Sequence, residues 1–349
     1  MKTLSPAPCD HKRRSFLKFC GLLGLGSAGT ALLPVERAEA LLFGNKEYKV
    51  SSTKLAMGSF LAITIVHPSK DEAENAMGLA FEEVERLSKL LSRHDSSTPV
   101  AHLNKTGSLT AAPPEVVEVV NRSLYYNRLT NGAFDITVQP VVDLYRDRFA
   151  AGHTPTETEI VALLPRVGSE HILVSNNSVS FKRDNMGITL DGIAPGYIVD
   201  RVSALLAKLG AVNHLINCSG DIRTSGSAAK AGQWTVAIQD PNHQKVYPDI
   251  VSMGTGAIST SGSYEIFYDK EMTFHHIVTP QTGHSPILSI STTATAASVM
   301  DADALATSLM VMSPADGLRL IGKQPNCQCF IIGRDNTTMR SSGWSSSLA

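Results

Sequence analysis

The chain is short of three things. Its 31 Lys and Arg are offset by 32 Asp and Glu, for a net charge of −1, so no basic excess offers a face to nucleic acid. Beyond residue 40 no apolar run is long enough to span a bilayer as a helix. Cysteine is scarce: Cys218, Cys327 and Cys329 are all that follow the amino-terminal segment, an odd number that builds no disulfide framework, although a pair among them can still join in an oxidising compartment. What is present, 43% hydrophobic and 18% charged residues, is the composition of a soluble globular protein.

The amino terminus carries an address. Residues 11–18 read HKRRSFLK, an apolar run rich in Gly, Ala and Leu fills 19–33, and Ala38, Glu39 and Ala40 follow. A charged start with Arg13 and Arg14, a short apolar stretch and an A-x-A site make a twin-arginine export signal. Cleavage after Ala40 divides the chain into a signal, 1–40, and a globular part, 41–349; left uncleaved, the signal would hold the protein at the inner membrane. Cys20 has no lipobox before it, so no lipoprotein is expected. The route implies the twin-arginine translocase as a transient partner, the periplasm as destination, and a chain folded, and often loaded with a cofactor, before export.

Periodicity then outlines the globular part. Residues 51–66 alternate around Met57 and read as an opening strand. A long amphipathic helix is predicted over 70–91, with Ala76, Leu79, Ala80, Val84, Leu87 and Leu91 on its buried face. Residues 92–104 read as a polar turn, and 114–130 as a second helix stopped by Asn131 and Gly132. In GAFDITVQPVVDLY, 132–145, an extended run ended by Pro140 would put Phe134 and Ile136 in a core and Asp135 on the opposite side; a capped turn with Asp135 bonding local amides is the alternative. A helix over 154–164 and a strand pair over 171–181 follow. Residues 187–210 read as a strand, a glycine-containing turn at 192–196 and a helix with Val199, Val202, Leu205, Leu206 and Leu209 on one side; free amides at such a helix start suit a phosphate. Strands are predicted over 214–222 and 234–238. The mixing of strands and helices without strict alternation predicts an α+β fold.

The stretch 254–307 concentrates polar residues in apolar surroundings: TGAISTSGSYE, HHIVTPQTG and MDADALATSLMVM. Asp303 and Thr307 stand four apart in a helical run, so their oxygens share one face, one turn apart. Such a pair can hold a hard cation; equally, Asp303 can cap the helix and Thr307 can bond a carbonyl behind it.

These blocks, taken in order, resemble the ApbE family of FAD:protein FMN transferases, most specifically in GAFDITVQP, ISTSGSYE, HHIVTPQTG and DADALAT. The resemblance runs from Met57 onward. It implies an α+β fold of tunnelling-fold type, with FAD in a cleft between two coupled subdomains, and transfer of FMN from FAD to a threonine hydroxyl of an exported acceptor flavoprotein, with release of AMP and with Mg2+ at the pyrophosphate. By the same resemblance Gly192, Asp303 and Thr307 are metal ligands and His276 is the general base. Met57, Ala133, Phe134, Asp135, Thr189 and Pro195 fall at cofactor-contact positions. The chain departs from the family's pattern: Thr189 and Thr279 stand where aspartate is usual, Asp191 where glycine is, Pro195 where lysine or glutamate is, and His94 where an aromatic is common. Asp191 could replace the carboxylate missing at 189 only if the backbone bends out of a regular strand. Two other activities fit such a site: a non-catalytic flavin-binding maturation factor, and an FAD pyrophosphatase giving FMN and AMP.

Overall fold

The computed structural model describes residues 39–43, 47–242 and 246–347. The twin-arginine motif, its apolar run and Ala38 lie outside these residues. The expected cleavage point after Ala40 falls within β1 (Glu39–Phe43), where Glu39 and Ala40 pair with Ser51 and Val50 of β2.

A nine-stranded antiparallel sheet runs in the order β1, β2 (Glu47–Ala56), β3 (Ser59–His67), β7 (Asn213–Cys218), β8 (Asp221–Ser225), β11 (Gly256–Gly262), β12 (Ser289–Ala296), β13 (Gln328–Gly333) and β14 (Thr338–Arg340). The predicted single strand over 51–66 is a hairpin: Met57 (φ 52°) and Gly58 (φ 74°) reverse the chain, and Ala56 pairs with Ser59. The predicted strand over 214–222 is likewise a hairpin, turned at Ser219 and Gly220.

Three helices pack on this sheet and on one another. The first, α1 (Lys70–Leu91), starts where the Ser69 hydroxyl accepts the Glu72 amide and buries Ala73, Ala76, Met77, Ala80, Phe81, Val84, Leu87 and Leu91. Leu79, expected on that face, is exposed: it lies just off the 3.6-residue stripe. Later come α6 (Ala194–Lys208) and α7 (Val299–Val311); α7 is enclosed on most sides, which is why its sequence is apolar with little amphipathic pattern. Leu209, predicted for the buried side of α6, lies past its end and is exposed.

Between β3 and β7 the chain makes an excursion. It builds α2 (Pro99–Thr106), β4 (Ser108–Leu109), α3 (Pro114–Leu129), α4 (Gln139–Ala150), α5 (Glu157–Leu163), β5 (Ile172–Ser175) and β6 (Ser178–Phe181). The polar turn over 92–104 is thus half helix: Thr98 caps α2, and Pro99 occupies its first turn, where no amide is needed. Pro140 likewise sits in the first turn of α4 and starts a helix rather than ending a strand. The strands β4, β6 and β5 form a small sheet; β9 (Trp234–Ala237) and β10 (Ile250–Met253) form another, and α8 (Pro314–Ile321) follows α7.

Among the described residues the apolar side chains gather into a large core under the main sheet and three smaller ones. One of the smaller cores joins Val138, Val141, Val142 and Tyr145 to Ile160 and Val278, with Tyr268 and Phe274 against it. It ties the 266–283 loop to α4 and α5. The architecture is the expected α+β arrangement.

Candidate active site

Two helices meeting closely make the floor of the site. A Cβ on Gly196 would lie 2.5 Å from the Val299 carbonyl oxygen, so only glycine lets the start of α6 touch the start of α7. Asp200, one turn along α6, accepts the Val299 and Met300 amides at 3.0 and 2.9 Å and so caps α7 from outside. The crossing brings Gly192, Asp303 and Thr307 together. A Cβ on Gly192 would stand 2.9 Å from Thr307 Oγ1, and the Gly196 amide donates to Asp303 Oδ2 at 3.2 Å. Ser261 Oγ lies 3.3 Å from Thr307 Oγ1.

This floor carries more negative charge than the protein compensates. Asp303 is 4% exposed, and its carboxyl is pushed well above the usual range, first by burial and then by the charge of Asp221, with the single Gly196 amide opposing. Burial pushes Asp221 up to about 7 even though the Ser259 hydroxyl donates to it at 2.6 Å. Glu265 is also raised to about 7, by burial and then by Asp221. Glu265 and Asp221 are reached by water yet crowded by protein, as residues of a cleft wall are. Among the described residues no three His, Cys, Asp or Glu side chains cluster as a metal site. A cation here would therefore draw on one carboxylate, one hydroxyl and the Gly192 carbonyl. This all-oxygen set, beside carboxylates lacking counter-charge, fits a hard divalent ion such as Mg2+.

The opposite wall is the 263–288 loop. Tyr145 Oη donates to the Gly283 carbonyl at 2.6 Å, Phe267 bridges to His275, and the Ser285 hydroxyl both accepts from the His275 amide and donates to the His275 carbonyl, each at 2.9 Å. These bonds fix the neighbouring His276. Its Nδ1 lies 3.1 Å from the Ile266 carbonyl, which can only accept, so Nδ1 carries the proton and Nε2 the lone pair. Burial lowers its pKa and keeps the ring neutral near pH 7. His275 differs: fully enclosed, it is pushed down to about 4 by burial, with Nε2 donating to the Pro286 carbonyl at 3.0 Å.

The other expected contact residues divide. Asp135 is the capped-turn alternative realised: Oδ1 accepts from Thr137 N, Thr137 Oγ1 and Ser169 Oγ, and Oδ2 from Asn127 Nδ2 and Ser169 N, all within 3.1 Å. With five donors, the carboxylate works as a strut. The Phe134 ring is buried edge-on to Tyr126 in the core. Any ligand contact from this turn therefore falls to its backbone and to half-buried Ala133. The turn does reach the site wall, since Gln281 Nε2 donates to the Gly132 carbonyl at 3.1 Å. Met57 is half-buried at its hairpin tip, and Pro195 occupies the first turn of α6. Thr189 is buried, its amide bonded to the Ile136 carbonyl.

Residues 187–190 are irregular rather than a strand, because Leu190 accepts the amides of both Ile193 and Ala194 and the chain turns there. The bend that Asp191 needed is present. Sequence reasoning passed over Asp221, Glu265, Asp200 and Ser261 as site residues; strand alternation marks Asp221 as polar but not as facing a cleft. A cavity of about 460 Å³ lined by Phe274, Thr279, Ser285 and Leu288 adjoins the histidine loop without including Asp303, Thr307 or Gly192.

An α+β scaffold with a close-packed group of oxygen donors and a neutral imidazole has the chemistry of a class suited to moving phosphorus-linked groups. The chain belongs to the ApbE family, whose model matches residues 57–331. It is similar to the FAD:protein FMN transferase of Vibrio cholerae, at 32% identity over 65% of this chain and 69% of that protein, and to that of Klebsiella pneumoniae, at 28% over 89% of each. Among solved structures it resembles an ApbE protein from Thermotoga maritima (TM-score 0.76, 25% identity, 84% of this chain and 97% of that one). The flavin transferase ApbE from Vibrio cholerae is similar as well (TM-score 0.74, 26% identity, 87% and 98%).

Proposed function

We propose that this protein transfers the FMN half of FAD to a threonine hydroxyl of an exported acceptor protein, releasing AMP. The observation that carries the reading is the convergence of Gly192, Asp303 and Thr307, beside which the chain offers a histidine, His276, whose Nε2 is unprotonated. Mg2+ held by the three oxygens would neutralise charge on the pyrophosphate of FAD. His276 Nε2 takes the proton of the incoming hydroxyl as its oxygen bonds to the phosphorus of the FMN phosphate. The bond from that phosphorus to the AMP oxygen breaks, and AMP leaves with the electron pair. Membership of the family supports the reaction; the twin-arginine motif supports twin-arginine export and a periplasmic site of action.

The test mixes the chain lacking residues 1–40 with FAD, Mg2+ and an exported threonine-bearing acceptor domain. Covalent flavin fluorescence on the acceptor together with AMP is the expected result. AMP without label would make the protein an FAD pyrophosphatase, and neither product would make it a flavin-binding maturation factor.

A further inference from the structure

One side chain holds the histidine loop on both sides of His276. Tyr145, on α4, is fully enclosed by protein, so whatever it does is done through its neighbours. Its ring meets Phe274, two residues before His276, edge-on with 5.1 Å between ring centres, and meets Tyr268 at 6.1 Å. Its hydroxyl reaches the other side, donating to the Gly283 carbonyl at 2.6 Å. Gly283 closes the turn that follows His276: its amide donates to the Thr279 carbonyl, and the Thr279 amide to the His284 carbonyl, each at 2.8 Å. A Cβ on Gly283 would lie 2.5 Å from Ile160 Cγ2, so the turn is also seated against α5.

Within this grip, residues 266–276 double back as a hairpin. The Tyr268 amide donates to the Phe274 carbonyl at 2.8 Å, Phe267 bridges to His275, and the His276 amide donates to the Ile266 carbonyl at 3.1 Å. That same carbonyl accepts from His276 Nδ1 at 3.1 Å, so the register of the hairpin decides which ring nitrogen carries the proton. Phe149, one turn beyond Tyr145 on α4, stacks on Tyr268 at 5.7 Å and leans on Phe274 at 5.2 Å. Ring contacts of this kind hold the hairpin sideways but tolerate sliding, whereas the Tyr145 hydroxyl supplies a directed bond that stops it.

We infer that Tyr145 is a positioning residue for His276: its ring and hydroxyl fix the two ends of segment 274–283, and so keep the imidazole with Nδ1 on the Ile266 carbonyl and Nε2 free to take the proton of the acceptor hydroxyl. This role rests on the transfer reaction proposed above. Tyr145 gives and takes no proton itself; a small misplacement of the base is enough to slow the step it serves.

The test uses Tyr145→Phe, which keeps the ring and removes the hydroxyl. Per folded molecule it should lower kcat for FMN transfer about tenfold and leave KM for FAD within about twofold. The ring nitrogens of His276, followed by 15N NMR and assigned by their loss in His276→Gln, should show one tautomer in wild type and a mixture in Tyr145→Phe. An unchanged kcat, a KM for FAD raised in step with the loss, or a lowered kcat with a single tautomer would each overturn the inference. Should Tyr145→Phe fail to fold, Phe149→Leu, which loosens the same grip and leaves the hydroxyl bond in place, decides by the same measurements, with a fall in kcat of about threefold expected. If the wild type transfers no FMN, the tautomer still decides: a single form in both proteins overturns the role of Tyr145, while a mixture in the variant sustains it and leaves only the reaction to be replaced.

Discussion

Asp135 and Asp303 both stood out as candidate ligands, and the structure gives them opposite surroundings. Thr137 in its own turn, Asn127 of α3 and Ser169 farther along supply Asp135 with five donors, so the carboxylate is complete within the fold. Asp303, near the start of α7, has one amide donor, Gly196 of α6, with deep burial and the charge of Asp221 acting on it. A polar group satisfied by the fold around it builds structure, whereas one buried without sufficient partners is suited to a ligand. The number of donors, more than burial or charge, separates the strut from the binding group.

Substitution can test that contrast. The largest effect expected is from Asp303→Ala, which should cut FMN transfer about a thousandfold, roughly 4 kcal/mol of transition-state stabilisation, and weaken FAD binding. Full activity in a fluorescence-transfer assay would remove Asp303 from the cation site. Asp135→Ala should instead lower stability by about 3 kcal/mol, since several charge-assisted bonds are lost together, with turnover per folded molecule largely kept. Urea melts beside active-site titration separate the two outcomes, and a loss of turnover at unchanged stability would erase the distinction.

Acid should sharpen the contrast between the two histidines. His275 is held to about 4 in the folded protein against 6.5 unfolded, so between those values the unfolded chain binds the proton and the folded chain does not. The stability this contributes is intact above pH 6.5 and falls as pH drops toward 4, by about 2 kcal/mol at pH 5. Buried carboxylates raised toward 7 act with the opposite sign, so the readout is the difference between wild type and His275→Gln in denaturant melts at pH 7.5 and 5. A pH-independent difference would contradict the burial argument. The smallest effect expected is from Gly192→Ala: its new Cβ, 2.9 Å from Thr307 Oγ1, should displace that hydroxyl and slow transfer about tenfold, roughly 1.4 kcal/mol. An unchanged Mg2+ dependence would show that Thr307 is not a ligand.

Local signals carried much of the fold. The apolar stripe over 70–91 matched both ends of α1, and the strand pair read over 171–181 is β5 with β6. Reversals carried by a non-glycine residue at positive φ, such as Met57, were hidden because alternation continues through both strands of the hairpin. Pro140 was read as the end of an extended run because proline interrupts strands as well as opening helices. In the site, the four-residue spacing exposed Asp303 and Thr307. Asp221 could not be found that way: it stands at a hairpin end, beside Ser259 of another strand far off in sequence.

One pairing has a consequence for how the molecule comes into being. β3 and β7 are neighbours from Leu61↔Cys218 to Val66↔Asn213, although residues 68–212 lie between them. A ladder of such high sequence separation closes late, after the excursion has collapsed on itself. Gly192, Asp221 and Asp303 meet only once that ladder and the later strands are in place. Retention of a cation by this protein would thus report that the whole chain has reached its final topology.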